Sequence, residues 1–428
     1  MRIAHITAGA GHMYCGSCLR DQTLATALRD AGHQIWLMPV YTPTRTDDGG
    51  PDPERVFLGG INMFLQEHFA LFRKIPKRFD RILDAPPLLR LATRRGVSVD
   101  PARLGHMTVS MLQGVDGPMR KEVAELVAFL RDVVRPEIVS LPNSLLISLA
   151  PAIKAAVSVP ICCTLQGEDV FLEGLGEPYR GESLGLIRAH AASVDRFVAV
   201  SRFGANAMAG YLGLDPDRIS VVPLGIQPAG DEAIGKGADP FTIGYLARVA
   251  PEKGLHVLCE AYRRLRSRSD LPPSRLWAAG YLAPEHRRYL AGVQEAIAAW
   301  GLAEEFRYFG EVDRAAKLTF LRGLSVFSVP ATKADQKGLF LLEAMASGVP
   351  VVQPRRGAFI EIVEATGGGV LVEPDDPDRL ASAILDLWQN AERRKRLGGA
   401  GYAGVREHYG AAQMLEATLD VYRPLVRA

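Results

Sequence analysis

Along the chain, short apolar runs alternate with segments whose apolar residues recur at helical spacing. Arg2–Thr7 reads as a first strand, residues 17–31 as a helix closed by Gly32, and residues 34–40 as a second strand. Val123, Leu126, Val127, Leu130, Val133 and Val134 fall on one face of an amphipathic helix, and residues 137–141 follow as a strand. Residues 227–239 are rich in Gly, Asp and Ala and have no periodicity, so they read as a linker; strand and helix alternation then starts afresh with Phe241–Leu246. Strands that alternate with helices in this way predict α/β domains built on parallel sheets, and the restart predicts two of them. The sequence Asp-Pro-Asp-Arg occurs at 215–218 and again at 376–379, each copy reading as the start of a helix.

Length agrees with two domains, since 428 residues exceed one ordinary domain and give each of two its own core. A hydrophobic content of 48% with 23% charged residues is that of a globular chain. The net charge of +2 argues against a dedicated nucleic-acid binder. Of two local basic runs, residues 263–268 lie near a helix end, where cations complement the dipole. The other, residues 73–78, flanks the aromatic stretch 56–72; an amphipathic segment with a basic flank can lie on a membrane, but filling the first core or closing one side of a ligand cleft is favoured. The longest apolar candidate for a span, residues 145–163, is interrupted by Pro151, Lys154 and Pro160, and residues 1–7 run straight into a strand without a secretory core. A cytoplasmic protein is expected.

Five cysteines do not suggest a disulfide framework. Cys15 and Cys18 form a C-x-x-C that invites a redox or metal reading, but zinc needs two further ligands. Cys162 and Cys163 supply them only if their strand lies beside the first with both side chains converging, whereas adjacent strand residues point to opposite faces. Packing is the expected role of these cysteines, and satisfied polar positions that of His5 and His33. Asp47 and Asp48 precede Gly49-Gly50 and read as a turn, so no metal site is expected.

Candidate chemistry is concentrated in the second half. Arg248 and Lys253 stand five positions apart between the Phe241–Leu246 strand and a helix, with Pro251 suited to its first turn. A guanidinium, an ammonium and the unpaired N–H groups of a helix start suit a diphosphate and the charge that grows as it leaves. About ninety residues later, the apolar run 325–330 leads into a loop and then Gly338, which opens a helix that stops at Gly348 before another apolar strand. Asp335 and Glu343 flank that helix start. A carboxylate suits adjacent sugar hydroxyls, and Gly338 allows close approach of a phosphate.

These residues resemble the donor half of retaining nucleotide-sugar glycosyltransferases of family four, of the GT-B type. The resemblance is carried by Arg248 with Lys253, by Asp335 followed after seven residues by Glu343, and by Ala344 to Val352 and Glu361-Ile362-Val363. Val198 to Phe203, Ile219 to Ile226 and Gly367 to Pro377 stand in the same order as in that family. Similarity extends over most of the chain and is strongest from about Phe197 onward.

The resemblance implies two Rossmann-like domains facing across a cleft: an acceptor domain over residues 1–226, a nucleotide-sugar domain over 240–406, and a C-terminal helix over 407–428 that crosses back to the first. It implies transfer of a sugar from a nucleotide diphosphate, most naturally a UDP-sugar, to an acceptor hydroxyl with retention of configuration and without metal or other cofactor. Arg248 and Lys253 would neutralise the departing diphosphate with N–H groups near Gly338, Leu339 and Phe340, Glu343 would hold the ribose, and Asp335 would orient the donor sugar. The loop after the first strand, with Gly9 and Gly11, would lie near the donor phosphates, and His12 beside the acceptor. Two departures stand out. Asp335 is one methylene shorter than the usual glutamate, and Gln166 stands where many relatives carry histidine. Glutamine carries no proton in acid–base work, which makes Glu168 and Asp169 the substitutes nearby. The competing expectation is a nucleotide- or sugar-binding regulatory protein that kept this fold and lost turnover.

Overall fold

The structure, a computed structural model, describes residues 1–8, 16–40, 101–227 and 238–427. Gly9, Gly11, His12, Cys15, Asp47, Asp48, the stretch 56–72 and the run 73–78 lie outside the described residues, as does most of the expected linker.

Two compact units are formed: residues 1–223 with 414–428, and residues 224–413. Each contains a six-stranded sheet in which every neighbouring pair is parallel. The strands of the first are β1 (Arg2–Thr7), β2 (Gln34–Pro39), β3 (Ile138–Leu141), β4 (Ile161–Leu165), β5 (Arg196–Ala199) and β6 (Ile219–Val221). Their order is β2-β1-β3-β4-β5-β6. The second sheet comprises β7 (Phe241–Leu246), β8 (Ser274–Ala279), β9 (Phe306–Tyr308), β10 (Val326–Phe327), β11 (Val351–Pro354) and β12 (Gly369–Val372), in the order β12-β11-β10-β7-β8-β9. Both are doubly wound Rossmann-like sheets. The strand order reverses between β1 and β3 in one and between β7 and β10 in the other, and ligands of such sheets bind outside the carboxyl ends of the strands at that reversal.

Burial on both faces explains why these strands are continuous apolar runs. In the first unit Ala4, Ile6, Val139, Leu141, Cys163 and Phe197 enter one core, while Ile3, Ile138, Cys162 and Val198 enter another. Cys162 and Cys163 therefore lie in different cores, on opposite faces of β4. Burial also raises both thiols far above their ordinary value, which keeps them inert. The core of Ile3 is completed from the far end of the chain, because Met414, Leu419 and Tyr422 of the helix Ala411–Arg427 pack into it. A separate helix, Ala391–His408, precedes it, so residues 407–408 end that helix instead of opening the last.

Local signals act where the sequence puts them. Asp215 accepts the N–H of Asp217 at 3.0 Å, and Asp376 accepts those of Asp378 and Arg379 at 2.9 Å each, so both Asp-Pro-Asp-Arg copies are N-caps. His5 Nε2 lies 3.2 Å from Asp21 Oδ1, and His33 Nδ1 3.1 Å from the N-terminal amine. One expectation of periodicity fails. Val133 is 53% exposed while Val134 is buried, because the helix Arg120–Phe129 continues as a π turn over Leu130–Val134, and its wider i to i+5 bonding shifts the apolar phase by about one position.

Candidate functional site

At the reversal of the second sheet, the loops after β7 and β10 come together. Thr332 N donates to Glu252 O at 3.0 Å, which ties the two loops backbone to backbone, and Ser328 N, just past β10, donates to Gly244 O of β7 at 2.9 Å. Gly254 makes this possible: its φ is +73°, and a Cβ there would stand 1.9 Å from Pro330 O. The turn that carries Lys253 is therefore pressed against the loop that carries Asp335. Pro251 opens a short 3-10 turn, Pro251–Lys253, and the helix Leu255–Arg266 starts two residues beyond Lys253.

Lys253 Nζ lies 2.5 Å from Asp335 Oδ2, with side-chain exposures of 21% and 10%. Asp335 Oδ1 accepts the N–H groups of Lys337 at 2.8 Å and Gly338 at 2.9 Å. Burial works to raise the carboxyl pKa, but Lys253 and these two N–H donors outweigh it and hold the group below its ordinary value of 3.8. An ionised carboxylate thus sits in a cradle of one ammonium and two N–H groups, a donor set that suits anionic oxygen. Lys253 also lies 5.5 Å from the centre of the Phe340 ring. Gly338, at φ +62°, opens the helix Leu339–Ala346, whose first N–H groups have no intrahelical acceptor.

Other groups complete this edge. Arg248 is 47% exposed and pairs with Glu252 four residues on. Glu343 lies inside the helix that Gly338 opens, and its Oε1 accepts from Lys317 Nζ at 2.5 Å, both side chains being mostly buried. Arg356, after β11, donates to Ala331 O at 2.9 Å and pairs with Asp375 after β12 at 2.5 Å. Ala358 N donates to Asp335 O at 2.8 Å, so the β11 loop braces the acidic loop from the other side. Glu252, Lys317 and Arg356 were missed by sequence reasoning. Arg356 two residues after a strand, and Lys317 in the first turn of the helix Arg314–Arg322, where the dipole disfavours cations, were the signals available.

In the first unit, Gln166 is buried at the carboxyl end of β4, and its Nε2 donates to Pro142 O at 2.8 Å. Glu168 is also buried, and its two oxygens accept Ser144 N at 3.1 Å and Gln166 N at 2.9 Å. Its carboxylate thereby staples the turns after β3 and β4. Asp169 opens the helix Asp169–Leu175, where an acidic residue suits the dipole. Among the described residues no group of three His, Cys, Asp or Glu side chains is placed to hold a metal ion, and no helix is long and apolar enough to cross a membrane.

Two doubly wound, Rossmann-like parallel sheets are the architecture of GT-B glycosyltransferases. Residues 227–404 match the family model for glycosyl transferases group 1, and residues 103–229 match that for Glycosyltransferase Family 4. The phosphatidyl-myo-inositol mannosyltransferase of Mycobacterium leprae is 30% identical over 237 residues, 55% of this chain and 58% of that protein. The D-inositol 3-phosphate glycosyltransferase of Segniliparus rotundus is 30% identical over 243 residues, 54% of this chain and 51% of that protein. The chain thus spans little more than half the length of these curated relatives. Among solved structures, the sucrose-phosphate synthase of Thermosynechococcus elongatus superposes with a TM-score of 0.70 at 17% identity, covering 99% of this chain and 98% of that one. HepE of Anabaena in complex with UDP superposes at 0.68 and 17%, covering 99% and 100%. At such identities the likeness concerns the fold.

Proposed function

We propose that the protein transfers a glycosyl group from a nucleotide diphosphate, a UDP-sugar in the first instance, to an acceptor hydroxyl, with retention of anomeric configuration and without a metal ion. The observation that carries this reading is the cradle of Lys253 and the N–H groups of Lys337 and Gly338 at the reversal of the second sheet, already shaped around a carboxylate. The UDP bound by HepE supports the choice of donor.

Residues 240–406 serve the donor and residues 1–226 the acceptor, with residues 414–428 returning to the first domain. Arg248 and Lys253 neutralise the diphosphate, assisted by the N–H groups of Leu339 and Phe340 beyond Gly338, whose own N–H is held by Asp335; Gly9 and Gly11, outside the described residues, are assigned to the donor. Glu343 takes the ribose hydroxyls. Asp335, by anchoring Lys253, orients the donor sugar against the diphosphate. As the bond from the anomeric carbon to the diphosphate oxygen breaks, the acceptor oxygen bonds to the same face of that carbon, and its proton passes to the departing phosphate oxygen. This route requires no proton from Gln166, whose amide hydrogen-bonds without titrating. His12 and Asp169 belong to the acceptor side. This reading places the protein in the cytoplasm.

The test is to incubate the purified chain with UDP- and GDP-sugars and a panel of hydroxyl acceptors, phosphatidyl-myo-inositol and inositol 3-phosphate included because two relatives are named for them. Products are identified by mass spectrometry and their anomeric configuration by NMR. Nucleotide binding without transfer or hydrolysis across the panel would favour the regulatory binder, a reading that the substitution of glutamine at position 166 keeps in play.

A further inference from the structure

Lys317 occupies a position that local electrostatics opposes. Asp313 caps the helix Arg314–Arg322 by accepting Ala316 N at 2.8 Å, and Lys317 follows in the first turn, where the positive end of the macrodipole favours acids. Its ammonium is nevertheless mostly buried, at 16% side-chain exposure, and directed to Glu343 Oε1 at 2.5 Å. Glu343 comes from another helix, 26 positions away. Among the described residues its Oε2 carries no hydrogen bond, so one oxygen is held and the other is open.

We propose that Lys317 is a positioning residue that sets nucleotide specificity: by holding Oε1 it fixes the Glu343 side chain so that Oε2 meets the ribose hydroxyls of the donor. The inference rests on the reading of Glu343 given under Proposed function. A free glutamate has several rotamers to lose on binding, and an ammonium clamp removes that loss beforehand. A carboxylate oxygen held in one place accepts hydrogen bonds from both hydroxyls of a ribose diol but from only one in a 2′-deoxyribose. Without Lys317, a mostly buried carboxylate loses its counter-charge and turns toward water.

Titration calorimetry on the full chain, using UDP, GDP and their 2′-deoxy analogues with the wild type, Lys317→Met and Lys317→Arg, tests this. The wild type is expected to prefer the ribonucleotide by about tenfold, the scale of one hydrogen bond to a charged group. Lys317→Met should reduce that preference to less than about threefold, and Lys317→Arg, which keeps the charge, should restore most of it. Circular dichroism melts report folding independently. Should the methionine variant fail to fold, Lys317→Gln, which removes charge but keeps a donor, should lower the preference in its place. A variant without the charge that folds and keeps the wild-type preference overturns the proposal and leaves the ion pair structural. A wild type that binds none of the four nucleotides overturns the nucleotide-sugar reading itself, an outcome distinct from a wild type that discriminates and a variant that still does.

Discussion

Lys253 and Asp335 stand 82 positions apart in the chain, yet the ammonium of one lies 2.5 Å from a carboxylate oxygen of the other. The contact joins the loop after β7 to the loop after β10, the two strands between which the sheet order reverses. It also gives Asp335 a second task, because the carboxylate holds the cation assigned to the diphosphate while its other oxygen holds the start of the Gly338 helix.

Replacing Lys253 by alanine is expected to weaken binding of a nucleoside diphosphate by about 1.5–3 kcal/mol, the scale of a hydrogen bond to a charged group. Arg248→Ala should fall at the lower end, since Arg248 is nearly half exposed and more fully screened by water. Titration of UDP and GDP into both variants measures this. Unchanged affinity in both would remove the diphosphate assignment.

The depressed pKa of Asp335 makes a pH prediction with a definite sign. A carboxyl held below its ordinary value of 3.8 in the fold stabilises the fold at higher pH, and the contribution is lost as pH falls through the depressed value. The wild type should therefore unfold at a higher temperature than Asp335→Asn at pH 6, with the gap closing below about pH 4. A gap that stays constant down to pH 3 would mean that the charge contributes nothing.

Two glycines separate conformational strain from steric conflict. Gly254 and Gly301 have nearly equal φ, +73° and +74°, but a Cβ on Gly254 would strike Pro330 O at 1.9 Å, whereas one on Gly301 would meet nothing within 4 Å. Gly301→Ala should cost about 1–2 kcal/mol from the left-handed backbone alone. Gly254→Ala should cost about 1–3 kcal/mol more, because the obstacle is main chain that cannot turn aside. Urea denaturation compares the two; equal losses would show that the loops separate freely.

Transfer activity is expected to survive treatment with EDTA, because Arg248, Lys253 and helix N–H groups supply the positive charge that a metal would otherwise bring to the diphosphate. Assays before and after chelation decide the point. Activity lost on chelation and recovered with magnesium or manganese would contradict it.

The sequence by itself determined the elements whose causes are local. Apolar runs of four to six residues specify the strands because both sheet faces are buried, as Ile138–Leu141 and Val351–Pro354 illustrate. Asp376 before Pro377, Ser201 before the helix Arg202–Leu212, and Gly213 after it mark helix ends through bonds that span three residues or fewer and through a left-handed φ that glycine adopts without strain. The restart of alternation after residue 240 separated two sheets, and the spacing of Arg248, Lys253, Asp335 and Glu343 marked the crevice residues. Only the tertiary structure decided which of these side chains engage one another. The pairing of Lys253 with Asp335, the clamp of Lys317 on Glu343, and the staple by which Glu168 joins Ser144 to Gln166 depend on strand order, which brings distant loops to one sheet edge. Periodicity carries no information about that order. The π turn at Leu130–Val134 escaped for a related reason: one changed hydrogen-bond register rotates every later side chain, and the sequence pattern averages over the change.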